Sequence, residues 1–303
     1  MTDRIELFYN KGSSKSQNDA QNKIREDVIV FLENELSPEY AAVERWQHLY
    51  TNFHETISLL CPVPEYQHVK IIKKAGRMYN YDFDVVYFAG TETHTIKLEF
   101  KHNSSKLEKI PQILSLQDRF GLIRGLSYTE YYYANYLDKY LDAIMYKGPK
   151  PTLSEYMSLV TGTSPDKHEM FMSMRAGSGA SLSHKETCDA PYGGTLTAAI
   201  VNESIHTYLT TYITHFDTEK LSQKLAESQA NKYFLMWDLS QFHVETLTAV
   251  DLDIKHIELK KTKNINTIIA MSLTTEYHLL LRWRNHNGIL NPAWQIKIAH
   301  KSG

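Results

Sequence analysis

"TIKLEFK", residues 95–101, alternates apolar and charged side chains without a break: Ile96, Leu98 and Phe100 against Lys97, Glu99 and Lys101. A period of two marks a strand with one buried face. The three charges therefore share the other face, and Glu99 and Lys101 project together. Just upstream, "YDFDVVYF" (81–88) places two aspartates at the head of an apolar run, and "AGTETH" (89–94) reads as the hairpin that returns the chain. An antiparallel pair of this kind sets an aspartate from one strand beside the glutamate of the other. The apolar run begins directly after Asp84, so Asp84 is the preferred partner of Glu99. Asp82 points the same way along the strand and competes with it.

Working outward, "HVKIIKKAG" (68–76) reads as a further strand. Before it, Ser16 and Asp19 suggest a capping box for a helix running to about residue 36, with Ile24, Val28, Phe31 and then Glu35 on one stripe. A second helix starts near Pro38, with Val43, Trp46, Tyr50, Phe53, Ile57 and Leu60 on its apolar face. After the third strand, Pro111 suits the first position of another helix, carrying Ile113, Leu116, Phe120 and Ile123. Helices are expected in "YTEYYYANYLDKYLDAI" (128–144) and "TLSEYMSLV" (152–160), a glycine- and serine-rich loop at 173–194, and a helical segment to about 229. From 231 onward the pattern is strand-like, with a turn at Asn287-Gly288. This divides the chain into 1–124, a helical and loop-rich 125–230, and a β-rich 231–303.

The chain has 303 residues, a net charge of -2 and 42% hydrophobic residues, so a packed core is feasible and a globally basic coat is excluded. Any polyanion must meet local patches. The two cysteines, Cys61 and Cys188, make no disulfide framework, which suggests an intracellular, reducing setting. No apolar run reaches the roughly 18 residues of a spanning helix, so a soluble chain without membrane contact is expected.

Two carboxylates held together repel unless a cation sits between them. Oxygen ligands beside a lysine suit Mg²⁺, with Mn²⁺ as a substitute, and such an ion polarises a phosphoryl oxygen and generates hydroxide. Asp84, the apolar strand, the turn and "LEFK" (98–101) together resemble the motif of the PD-(D/E)XK nuclease superfamily. The resemblance spans roughly residues 20–124. It implies an α/β fold with a restriction-endonuclease-like mixed sheet flanked by helices, here with a helical insertion and a β-rich C-terminal part. It further implies Asp84 and Glu99 as metal ligands, the Phe100 carbonyl as a third, and Lys101 assisting the nucleophile. Accessory roles fall to Glu35 on the first helix, to Asp82, and to Gln112 or Gln117 on the helix after the third strand. The chain lacks the proline before the aspartate.

The activity so implied is metal-dependent, site-specific cleavage of DNA, in keeping with a type II restriction endonuclease acting as a homodimer on a two-fold site. Lys73, Lys74, Arg77, Lys106, Arg282 and Arg284 are candidates for the DNA phosphates. A competing reading takes Asp82 and Asp84 as the D-x-D pair of a nucleotidyltransferase with Glu99 as third carboxylate, although Gly76 is followed by Arg77 where that fold has a serine. A third is a nucleic-acid-binding protein without catalysis. "RAGSGAS" (175–181) lacks the ending of a phosphate-binding loop, and no H-E-x-x-H, C-x-x-C or G-x-S-x-G is present.

Overall fold

The computed structural model describes residues 2–11, 15–63, 65–74, 79–143, 145–161, 195–262, 265–286 and 289–302. The chain forms two compact units, each discontinuous in sequence: Met1–Pro111 with Leu225–Leu252, and Gln112–Lys224 with Asp253–Gly303. The expected division at 124 and 230 is therefore replaced by interleaving. The loop expected at 173–194 and the turn at Asn287-Gly288 lie outside the described residues.

The first unit contains α1 (Glu6–Tyr9), α2 (Lys15–Phe31), α3 (Pro38–Ala41), α4 (Glu44–Leu59), β1 (His68–Lys73), β2 (Phe83–Ala89) and β3 (Glu92–His102). Ser16 lies within the first turn of α2, not before it. The second unit begins with β4 (Leu114–Gln117), α5 (Tyr128–Asn135), α6 (Leu137–Ala143), α7 (Leu153–Thr161) and α8 (Thr195–Tyr212). The unit boundary falls within α9 (Thr218–Gln229), after which β5 (Lys232–Trp237), β6 (Phe242–Thr246) and α10 (Ala249–Leu252) belong to the first unit. Strands β7 (His256–Thr262), β8 (Ile265–Met271), β9 (Thr275–His286) and β10 (Ile289–Lys301) complete the second.

Sheet order in the first unit is β1-β2-β3-β5-β6. Strands β1, β2 and β3 form an antiparallel meander, and β5 runs parallel to β3. Ala89 pairs with Glu92, so Gly90 and Thr91 alone make the β2–β3 turn, and Gly90 takes φ +62°, which a glycine adopts without a Cβ clash. The alternation seen in the sequence divides the faces. Phe83, Val85, Tyr87, Ile96, Leu98, Phe100, Leu235 and Trp237 join one core with Val28 and Ile29 of α2 and Trp46, Leu49, Phe53 and Ile57 of α4. Each such large apolar side chain contributes about 1.5–3 kcal/mol on burial, which pins the register of the strands. Asp84, Lys97, Glu99, Lys101 and Lys232 are left on the opposite face.

The second unit holds the sheet β4-β10-β9-β8-β7. Residues 112–117 do not begin a helix. Pro111 is followed by β4, which pairs with β10 from Leu114↔Ile296 to Gln117↔Ala293, because Leu114 and Leu116 find sheet partners. The tyrosine-rich segment breaks into α5 and α6 and packs inward: Tyr128, Tyr132 and Tyr140 are fully buried, with Tyr156 of α7 and Tyr208 of α8. Tyr128 shares a 2.7 Å hydrogen bond with Ser204, and Tyr208 donates to the Leu126 carbonyl at 2.7 Å. These phenols serve the core, so this segment is not a base-stacking platform. No described helix is long and apolar enough to cross a membrane.

Candidate active site

Side-chain partners decide which aspartate meets Glu99. The paired register of the hairpin begins with Phe83 opposite Leu98 and Asp84 opposite Lys97. Asp82 lies just before it, and its N–H donates to the Leu98 carbonyl at 2.9 Å. From there its carboxylate comes within the electrostatic reach of Glu99 and Lys101. Its Oδ2 accepts the Phe100 N–H at 2.8 Å. Asp84, expected in that role, lies two residues along β2 and ion-pairs with Lys74 at 2.5 Å. The apolar run does start after Asp84, but the Asp84 carboxylate is engaged by Lys74, and the carboxylate that meets Glu99 and Lys101 is that of Asp82.

Glu99 is 8% exposed. Its Oε1 is ion-paired with Lys101 from two residues on, and its Oε2 with Lys232 at the head of β5. The Lys232 side chain is fully buried and also donates to the Asn80 carbonyl at 2.7 Å. Burial holds its ammonium below the usual lysine pKa, against the pull of Glu99. Burial likewise pushes Asp82 up to about 6; Lys101 and the Phe100 N–H oppose the rise, and the Glu99 and Glu26 carboxylates add to it.

Glu26 comes from α2, where it ion-pairs with Lys73 at 3.1 Å. Lys73 also meets Asp27 at 2.7 Å; burial opposes its charge, yet these two carboxylates raise its pKa overall. Glu35, the expected helix glutamate, lies beyond the end of α2 and is exposed, and the α2 glutamate whose field reaches Asp82 is Glu26. Gln112 and Gln117 belong to the second unit, Gln117 as the last residue of β4, and the helix that was to carry them does not form. Phe100 packs its ring into the core. Its carbonyl lies between Glu99 and Lys101 in the chain order.

The expected phosphate contacts fare unequally. Lys73 and Lys74 are engaged by carboxylates, Lys106 is exposed, and Arg282 hydrogen-bonds Gln295 in the second unit. Arg77 lies outside the described residues, and Arg284 is described only as a member of β9.

Sequence reasoning missed Lys232 and Glu26. Lys232 had a signal: it is the one cation opening the apolar "KYFLMW", where a strand without a polar partner would not place it. The donor chemistry suits a hard divalent ion: Asp82 and Glu99 supply oxygens at neighbouring positions of paired strands, with a backbone carbonyl between Glu99 and Lys101. Among the described residues, no group of three or more His, Cys, Asp or Glu side chains converges, so water or substrate would complete the coordination. Comparison with protein-family models and with curated proteins gives no match for this chain.

Proposed function

We propose that the chain is a divalent-metal-dependent nuclease that cleaves DNA phosphodiesters, with a restriction-endonuclease-like core in its first unit. The observation that carries this reading is the meeting of Asp82, Glu99 and Lys101 on one face of the β2–β3 hairpin. The layout around it supports the reading too: a helix (α2), the three-strand meander, then α9 leading into β5 parallel to β3. Asp82 and Glu99 would hold Mg²⁺ or Mn²⁺. The bound ion would supply Lewis-acid polarisation of the phosphoryl oxygen. Lys101, partly exposed beside the carboxylates, offers a cation to the charge that develops on the phosphate. Glu99 is buried and Asp82 half-buried, and such low-dielectric surroundings strengthen electrostatic contacts in the cluster.

The D-x-D nucleotidyltransferase is the weaker reading, because the Asp84 carboxylate is already engaged by Lys74. Incubating plasmid DNA with Mg²⁺ tests both. Shortened or linearised DNA that disappears with Glu99→Ala and Asp82→Asn supports the nuclease. Incorporation of labelled nucleotide in place of cleavage supports the transferase. Metal-insensitive binding with neither reaction leaves a non-catalytic nucleic-acid-binding protein. Sedimentation on a two-fold DNA site tests the homodimer that a site-specific enzyme would use.

A further inference from the structure

We propose that Lys232 is a fixed counter-cation that keeps one of the two Glu99 oxygens, so that the cluster takes up a single divalent ion, and takes it up in exchange for Lys101. This rests on the metal-dependent reading above and adds to it the ion count and the identity of the group displaced.

The two lysines on Glu99 are unequal. The Lys232 side chain has no exposed surface. It leaves from β5, which is paired on one side with β3 and on the other with β6. Its ammonium holds Glu99 Oε2 and the Asn80 carbonyl at once, and Asn80 is itself fixed by donating to the Ser228 carbonyl at 2.7 Å and to Ser228 Oγ at 2.6 Å. Moving Lys232 away from Glu99 would strand a charge in a dry interior, which folded proteins strongly disfavour. Lys101 is different. Its side chain is 27% exposed, and its ammonium can turn to water at little cost.

An incoming divalent ion therefore finds Oε1 of Glu99 available through the departure of Lys101, with Asp82 as the second anionic oxygen. A second ion would need Oε2, and there it would meet the Lys232 ammonium. Like charges at contact distance in a poorly hydrated site repel strongly. The buried lysine thus does the neutralising that a second metal ion would otherwise do.

Equilibrium dialysis against Mn²⁺, with circular dichroism to verify folding, tests the proposal. The wild-type chain should bind one Mn²⁺. Lys101→Met should still bind one, about tenfold more tightly, since the exchanging cation is gone. Lys232→Met should bind two. Should that variant fail to fold, Lys232→Gln keeps a donor for Glu99 without its charge and should likewise bind two. Two ions on the wild-type chain, a single ion on a folded Lys232 variant, or no tightening in Lys101→Met would each overturn the inference. One ion with these responses but no DNA cleavage keeps the inference and removes the endonuclease. Two ions with cleavage does the reverse, and no bound Mn²⁺ removes both.

Discussion

Asp82 Oδ2 accepts a 2.8 Å hydrogen bond from the Phe100 N–H, and this single contact fastens the head of β2 to the residue that separates Glu99 from Lys101. It makes Asp82, not Asp84, the carboxylate whose removal matters. Asp82→Asn should lower metal-dependent cleavage by about 10²-fold or more, while Asp84→Asn should leave most of it, the loss there being its ion pair with Lys74. Initial rates on plasmid DNA at saturating Mg²⁺ decide the comparison. Equal losses would remove the preference for Asp82.

The same Asp82→Asn change should stabilise the fold at neutral pH. Burial raises the folded-state pKa to about 6 from an ordinary value near 3.8. The folded chain then holds a proton that the unfolded chain has lost, so stability falls as pH rises between those values. Above pH 6 the ionised, buried carboxylate costs about 2–3 kcal/mol, which the amide avoids. Urea denaturation should show the variant gaining that much at pH 7 and nothing comparable at pH 4.

Metal binding should follow the opposite slope. A divalent ion needs the ionised form of Asp82, so affinity should climb as pH passes about 6. Glu26→Gln removes one of the carboxylates that raise this pKa and should move the midpoint downward. Titration of Mn²⁺ affinity against pH in the two chains measures it. An unchanged midpoint would place Glu26 outside the field of Asp82.

Much of this was legible in the sequence and some was not, for physical reasons. The alternation in 95–101 and the apolar run from Val85 gave the hairpin, its faces and Glu99 with Lys101, since period-two burial is written directly in residue type. The choice between Asp82 and Asp84 was not written there. Both lie on one face, and only their tertiary partners separate them: the Phe100 N–H for Asp82 and Lys74 for Asp84. Lys232 stood out as a cation opening an apolar run, but its partner Glu99 was illegible, because β5 joins β3 across more than a hundred residues of chain and a parallel neighbour leaves no local spacing to read. Pro111 misled because a helix-compatible first residue and a row of apolar side chains also fit a short strand, and β10 decided the matter.

The buried pair Glu99–Lys232 should dominate the stability of the first unit. Lys232→Met leaves Glu99 with Lys101 alone, and Glu99→Met leaves a fully buried ammonium with only the Asn80 carbonyl. Each single change should cost about 3–5 kcal/mol, Glu99→Met the more, while the double variant should recover most of the loss. Urea denaturation of the four chains closes the cycle. Additive losses would mean that the two charges are not paired in solution.

In the second unit the corresponding buried charge is Asp118, which is 3% exposed. It is structural. Its Oδ2 accepts both the Thr129 N–H at 2.8 Å and the Thr129 hydroxyl at 2.9 Å, at the first turn of α5, where Ser127 and Glu130 already form a capping box. Burial pushes Asp118 up to about 6, and the hydrogen bonds from Thr129 hold it from rising further. Asp118→Ala strips the partner from a buried N–H and a buried hydroxyl and should cost about 2–4 kcal/mol. Asp118→Asn keeps an oxygen acceptor for Thr129 and removes the buried charge, so at pH 7 it should cost far less. If the alanine and asparagine variants melt together, the carboxylate is not holding the helix start and the tyrosine core is anchored by other contacts.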